Sequence, residues 1–324
     1  MSIILDGSKG INQNTTESTK IPVGTTAQRP ASPQAGMIRF NTDEGYVEWY
    51  DDATDLWYPT SQFVGVAASG GTVTNITQDG IQYAVHTFTT DGTFEVTRGG
   101  EVEYLVVAGG GGAILGGGGA GGYRSSVSGE SSGGGASAEP RLDITVGSYA
   151  VTIGAGGASK NNQVAQGDDG QPSSVFGIVA AGGGGGGGGT EGGSHNQGRN
   201  GGSGGGAHNN ATSGTGTAGQ GFSGGPNSTS GTGAGGGGAG GQGGSNVDST
   251  GGAGGVGVQS SIDGVPTFRA GGGAGYTNGA GGLGGGGDGG SGGLPNTGGG
   301  AGGSLTAGGQ FGGSGIVIVR YRIG

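Results

Sequence analysis

The chain has 324 residues, 97 of them glycine, a formal net charge of −10 and no cysteine. Only 29% of it is hydrophobic, too little to build an apolar core along the whole length. This composition excludes disulfides and thiolate metal sites. The absence of a basic stripe argues against nucleic acid as a partner, because nothing would neutralise the phosphates.

Residues 1–26 read as a polar N-terminal arm with apolar beads at Ile3, Ile4, Leu5, Ile11, Ile21 and Val23. The start has no basic segment and does not read as a secretory signal. No apolar run approaches the ~20 residues that cross a membrane, so membrane insertion is not expected. The arm either docks onto another protein, pairs between subunits, or is a frayed terminus. Residues 27–60 read as an aromatic β-hairpin module. Arg29-Pro30 and Ser32-Pro33 fix an extended lead-in. Residues 37–40 and 46–50 predict two strands joined by a five-residue loop ending in Gly45. Tyr46, Trp49, Trp57 and Tyr58 crowd this small unit. Their bulk fits a mini-core better than a sugar platform, and Trp49 or Trp57 is expected to be buried against a neighbouring subunit.

Residues 61–80 read as a small-residue linker. Residues 81–180 read as a β scaffold, with strands at 83–89, 93–97, 102–108, 142–147, 150–153 and 175–180 and a glycine-rich insert at 109–140. Asp91-Gly92 and Gly99-Gly100 are turn signals. The apolar run from Tyr104 to Ala108 suits a central strand. The final run, Ile316-Val317-Ile318-Val319-Arg320-Tyr321-Arg322-Ile323, predicts a strand at 316–324 that returns to the sheet of 102–108.

Between scaffold and final strand, residues 181–315 carry glycine tracts at 182–189, 235–244, 271–275, 279–293 and 298–303, separated by polar hinges. Non-glycine residues recur every third position: Ala239, Gln242 and Ser245; Asp288, Ser291 and Leu294; Ala280 and Leu283; Ala253 and Val256; Ala120 and Tyr123. A period of three fits neither α-helix nor β-strand. It fits the three-fold left-handed helix of the polyproline II type. Such a helix bonds nothing internally, so its N–H and C=O groups need partners on neighbouring helices. Two glycine faces would touch neighbours and the third would point outward. Each glycine costs about 0.5–1 kcal/mol to order, which close backbone approach would justify. As one straight helix, 279–293 would span about 46 Å. An aperiodic tract would instead be a flexible linker, and collagen is excluded because no G-X-Y repeat is sustained. The expected fold is all-β: a hairpin module, a β-sandwich-like scaffold, and a bundle of polyglycine II helices inserted before the C-terminal strand.

The sequence offers little chemistry. No glycine motif is followed by the Lys-Ser/Thr of a phosphate loop or opens a helix. His86 falls in a predicted strand, and His195 and His208 fall in separate hinges without carboxylates at ligand spacing. Asp168-Asp169 reads as a turn rather than a calcium pair, and no serine occupies a nucleophile elbow. The expectation is no enzyme, no cofactor and no metal. The hinges carry His195, Asn196, Arg199, Asn200, His208, Asn209, Asn210, Asn227, Asn246, Asp248, Tyr276, Asn278 and Asn296. Singly, these residue types make turns. As a set on a rigid scaffold they are candidates for contact with a saccharide or an outer-membrane protein.

Two stretches resemble known proteins. Gly24-Thr25-Thr26-Ala27-Gln28-Arg29-Pro30-Ala31-Ser32-Pro33, Gly36-Met37-Ile38-Arg39-Phe40-Asn41-Thr42 and Val47-Glu48-Trp49-Tyr50-Asp51 resemble a module of bacteriophage tail-fibre and virion-surface proteins. Ile4-Leu5-Asp6-Gly7 resembles the opening of marine phage fibres. Val102-Glu103-Tyr104-Leu105-Val106-Val107-Ala108 with the following glycines, Tyr149-Ala150-Val151-Thr152-Ile153-Gly154, and the closing Gly313-Ser314-Gly315-Ile316-Val317-Ile318-Val319-Arg320-Tyr321 resemble the glycine-rich domain of phage tail fibres. The tip adhesins of some T-even-type phages are similar, with loops between polyglycine II helices that touch the bacterial receptor. The resemblance implies a virion surface protein, a homo-oligomer (a trimer) attached to a fibre or capsid protein, that binds the host surface. A head fibre or capsid decoration protein without a receptor, and an ice-binding polyglycine II protein, are the rival readings.

Overall fold

The computed structural model describes residues 21–60, 65–160, 165–189, 193–226, 231–304 and 310–323. The chain divides into two compact units, Met1–Val64 and Gly65–Gly324.

The first unit is a single four-stranded sheet in the order β1 (Val23–Gly24), β2 (Ile38–Asn41), β3 (Tyr46–Asp51) and β4 (Leu56–Pro59). Residues 23 and 24, read as part of the arm, pair in parallel with β2 of their own unit. Residues 1–20 of that arm lie outside the described residues. Side chains alternate between the faces, and register sets their company. Arg39, Asn41, Glu48 and Tyr50 share one face and are buried. Glu48 accepts from Arg29 Nη2 at 2.6 Å and from Asn41 Nδ2 at 3.0 Å, with Arg39 Nε 3.5 Å away. Trp57 stacks against Tyr50, with ring centroids 5.5 Å apart, and lies beneath the Arg39 guanidinium. Trp49 and Tyr58 pair on the opposite face, 5.8 Å apart. The mini-core expected from four aromatics is therefore centred on an ion cluster instead.

In the second unit the main sheet has the order β10 (Tyr123–Ser125), β9 (Gly100–Val107), β17 (Ile316–Arg322), β7 (Ile81–Phe88) and β6 (Thr72–Gln78), with β11 (Leu142–Ile144) also on β9. A smaller sheet of β12 (Gly147–Val151), β8 (Gly92–Arg98) and β5 (Ala67–Ser69) lies over one face. There Phe94, Val96 and Val151 pack with Tyr104, Val106, Val317, Val319 and Tyr321. The last strand does return beside β9, antiparallel to it and to β7. It is buried on both faces, because Ile316 and Ile318 pack the other way, against Leu105, Tyr123, Ala239 and Ile262. Residues 61–80, read as a linker, supply β5 and the edge strand β6. The stretch 175–180, read as one strand, is a hairpin of β13 (Ser173–Val175) and β14 (Ile178–Ala180) turning at Phe176 and Gly177, both at positive φ. A further hairpin, β15 (Val258–Ser260) and β16 (Thr267–Arg269), interrupts the glycine region. Arg320 holds it to the sheet, donating to the carbonyls of Ser261 and Ile262 and, through Nε, to Glu103 at 2.6 Å.

The glycine region is a lattice of polyglycine II helices, and residues 116–122 show its rule. Gly116, Gly119 and Gly122 donate to the carbonyls of Gly187, Gly184 and Ala181. Gly117 and Ala120 donate to Ala234 and Gly237, and Gly118 and Gly121 donate to Ala301 and Gly298. Every third amide thus meets the same neighbour, as a three-fold helix requires. Its carbonyls accept from three other segments, through Ala108 and Gly111, through Ser203 and Gly206, and through Gly273. One helix is therefore bonded to six. A Cβ on Gly116, Gly117, Gly118, Gly119 or Gly121 would lie 2.0–2.2 Å from a backbone oxygen, so contact, and not φ, demands glycine there. Helices at the rim keep the third face open. Gln242, Ser245, Ala253, Val256, Ala280, Leu283, Asp288, Ser291 and Leu294 are all exposed there, whereas Ala120, Tyr123 and Ala239 reach the sheet core. The lattice is larger than residues 181–315, since 109–112, 154–158 and 167–171 also belong to it. The tract 279–293 is not one 15-residue helix. It folds back at Gly284 and Gly285 and again at Gly290, all at positive φ.

Candidate functional site

The helices run to and from the β sheets, so the turns fall into two sets. One set lies at the sheet end and the other at the far end. Backbone bonds tie the far turns side by side. Gly188 donates to His195 O, and His208 donates to Asn196 O at 2.8 Å. His208 bridges to Gly233, Gly252 donates to Gly233 O, Gly251 donates to Thr277 O, and Tyr276 donates to Leu115 O. The hinges bearing His195, Asn196, His208, Asn209, Asn210, Asn246, Asp248, Tyr276 and Asn278 are therefore gathered at one end, although 83 positions separate His195 from Asn278.

Within this set the side chains divide by task. Asn209, Asn210, Asp248 and Asn278 have φ of 49°, 57°, 50° and 54°. Asn and Asp tolerate that region better than other non-glycine residues. Asn209 Oδ1 also accepts from Gly231 N at 3.1 Å. Asn246 is buried, and its Nδ2 donates to Thr232 Oγ1 at 2.7 Å. Asn196 and His208 are buried as well, and Asn196 Oδ1 and His208 Nδ1 have no partner among the described residues. Burial pushes the His208 imidazole below its ordinary pKa, partly offset by the Gly189 carbonyl. These groups shape the turns. What the far end offers outward is His195, Asn210, Asp248 and Asn278, with Tyr276 half-exposed.

Tyr276 and Asn278 line a cleft of about 230 Å³ with Thr277, Gly289, Gly290, Gly303 and Ser304. Sequence reasoning passed over Thr277, at φ 73°, and Ser304, whose amide donates to Ile114 O at 2.7 Å. A larger cavity of about 500 Å³ lies on the scaffold, lined by Ser126, Ser128, Glu130, Ser137, Glu139 and Arg141. No sequence pattern marked it, because its residues come from irregular loops.

Three candidates fall elsewhere. Arg199 lies along an inner-running helix and pairs with Asp169 at 2.9 Å; Asp169 Oδ1 also accepts from Gly185 N, standing in for a lattice carbonyl. Asn296 is at the sheet end, bonded to Ser314 and two residues from Gly298, whose neighbours are Val107 and Ala108. Asn227 lies outside the described residues. Among the described residues no group of three or more His, Cys, Asp or Glu could hold a metal.

A search of curated proteins finds no match to this sequence. The family model of a glycine-rich domain matches residues 87–322, from within β7 to the end of β17. That match takes in the strands from β8 to β17 and the lattice between them, more than two-thirds of the chain, and the protein belongs to this glycine-rich domain family.

Proposed function

We propose that the protein is a virion surface component, a phage tail fibre or fibre-tip adhesin, that recognises the bacterial host surface through the far turns of its lattice. The observation that carries this reading is the convergence of hinges distant in sequence on one end of a rigid, side-chain-poor scaffold. Loops so held can vary without disturbing the lattice, which is the usual arrangement for recognition on a rigid frame. Among the described residues the far end carries Tyr276, His195, amides and few charges, the chemistry that binds a saccharide or a polar protein loop. The same residues serve equally in a head fibre or decoration protein with no receptor. Ice binding is disfavoured because the outward positions mix Gln, Ser, Asp, Val and Leu instead of repeating one type.

Purified protein incubated with a panel of bacterial strains tests the reading. Saturable binding to at least one strain, reduced about tenfold or more by Tyr276→Ala with Asn278→Ala at unchanged melting temperature, is expected. Absence of saturable binding across the panel, together with no competition against phage adsorption, would leave the structural reading in its place.

A further inference from the structure

The sheet of the first unit has a face that no described residue of its own unit covers. Register places Val23, Ile38, Phe40, Val47, Trp49, Leu56 and Tyr58 on that face. None of them is buried, and Val23, Ile38 and Leu56 are 67%, 49% and 54% exposed. The opposite face is closed by Arg29, Glu48, Asn41 and the turn Thr26–Gln28. A sheet with one bare apolar face normally packs it about 10 Å from a second layer.

We propose that the missing layer is the same face of a second copy of this chain. Three features favour a copy over a different partner. The face presents apolar side chains and one terminal carboxylate, Asp51, which is spent on the Ala53 amide and the Thr54 hydroxyl, so it is complementary to itself. The sheet edges discourage strand addition, since β1 has two residues and β4 ends in Pro59. The area fits too: face-to-face contact would bury on the order of 1,000 Å² in total, the least a specific interface needs. This division reassigns the assembly aromatics. Trp49 and Tyr58 belong to the interface, while Tyr46 and Trp57 belong to the closed face. The inference does not depend on the receptor reading above.

The chain has no cysteine, which makes the test clean. In full-length protein, Ile38→Cys should form an intermolecular disulfide under mild oxidation, and Val265→Cys, exposed in the second unit, should not. By sedimentation the wild type should be an oligomer at tens of micromolar. Leu56→Lys should weaken association about tenfold or more while melting like the wild type. A monomeric wild type means the face is covered by residues 1–20, by the second unit or by another protein, and overturns the proposal. So does a Leu56→Lys oligomer indistinguishable from the wild type, or an Ile38→Cys chain that cross-links no better than the control.

Discussion

A methyl group on Gly118 would sit 2.1 Å from the Gly111 oxygen, and both partners are backbone. Neither can swing aside, so Gly118→Ala should lower stability by about 3 kcal/mol or more in denaturant melts. Gly129 is the contrasting case: its φ is 81° and nothing lies within 4 Å of a Cβ there. Gly129→Asn should therefore cost less than about 1 kcal/mol. Gly285 looks like a lattice glycine in the sequence but combines both demands, with φ 91° and the Thr297 side chain at 2.1 Å. Buried titratable groups shape the response to pH, among them Glu48 and His86. Burial alone would raise the Glu48 pKa, but hydrogen bonds from Arg29 and Asn41 and the charges of Arg29 and Arg39 hold it below the ordinary value. Its stabilisation is present above the unfolded carboxylate pKa and is lost as pH falls through the depressed folded one. Burial also lowers the pKa of His86, whose Nδ1 faces Gly70 O at 2.8 Å and Nε2 faces the Tyr321 hydroxyl at 3.0 Å. The folded state prefers this imidazole neutral, so its contribution holds above about pH 6.5 and declines as pH falls below that. Acid titration followed by circular dichroism should show both losses, and Glu48→Gln should remove the lower-pH part for the first unit.

Among the elements, β17 was the most legible, because eight consecutive residues ending at Ile323 alternate nothing polar until Arg320 and so predict burial on both faces. Removing residues 316–324 should leave the second unit unfolded, as a strand paired on both sides would be lost. Strands β5 and β6 were not legible as such. β6 reads Thr-Val-Thr-Asn-Ile-Thr-Gln, an exposed edge whose β-branched residues were outweighed by its polarity. The β15–β16 hairpin was hidden by the glycines on either side of it. Its anchor rests on a buried pair, Glu103 and Arg320. Glu103→Ala would strand the guanidinium and should cost about 3–5 kcal/mol, whereas the double change Glu103→Leu with Arg320→Met should cost less than either single one. Denaturant midpoints of the three variants decide this.

For the whole molecule, the existence of the lattice was legible from the period of three, and so were several turn residues, such as Asn209, Asn210, Asp248 and Asn278, whereas Arg199 lies along a helix. Which end each hinge would occupy was not. That depends on how many times the chain reverses inside tracts such as 279–293, and glycine repeats carry no mark for a reversal. The number of glycines per turn does report position: helices with glycine on all three faces lie inside, and those with one outward residue lie on the rim. Amides of 116–122, in a helix bonded to six neighbours, should exchange with solvent only on global unfolding. Amides near Gly289 and Gly290 should exchange sooner, which native-state hydrogen exchange can read.

A helix whose contacts are all backbone looks the same after sliding by three residues. Every lattice bond would find an equivalent partner, so hydrogen bonding alone leaves the register of each helix degenerate. Alignment must come from the few side chains that act as pegs: Ile114 and Leu115 buried at the first far turn, Asp169 capping the Gly185 amide, and Tyr123 seated in the sheet core. Refolding from denaturant should therefore pass through slipped forms and follow several exponential phases, and Leu115→Gly should enlarge the slow ones more than it lowers the final stability.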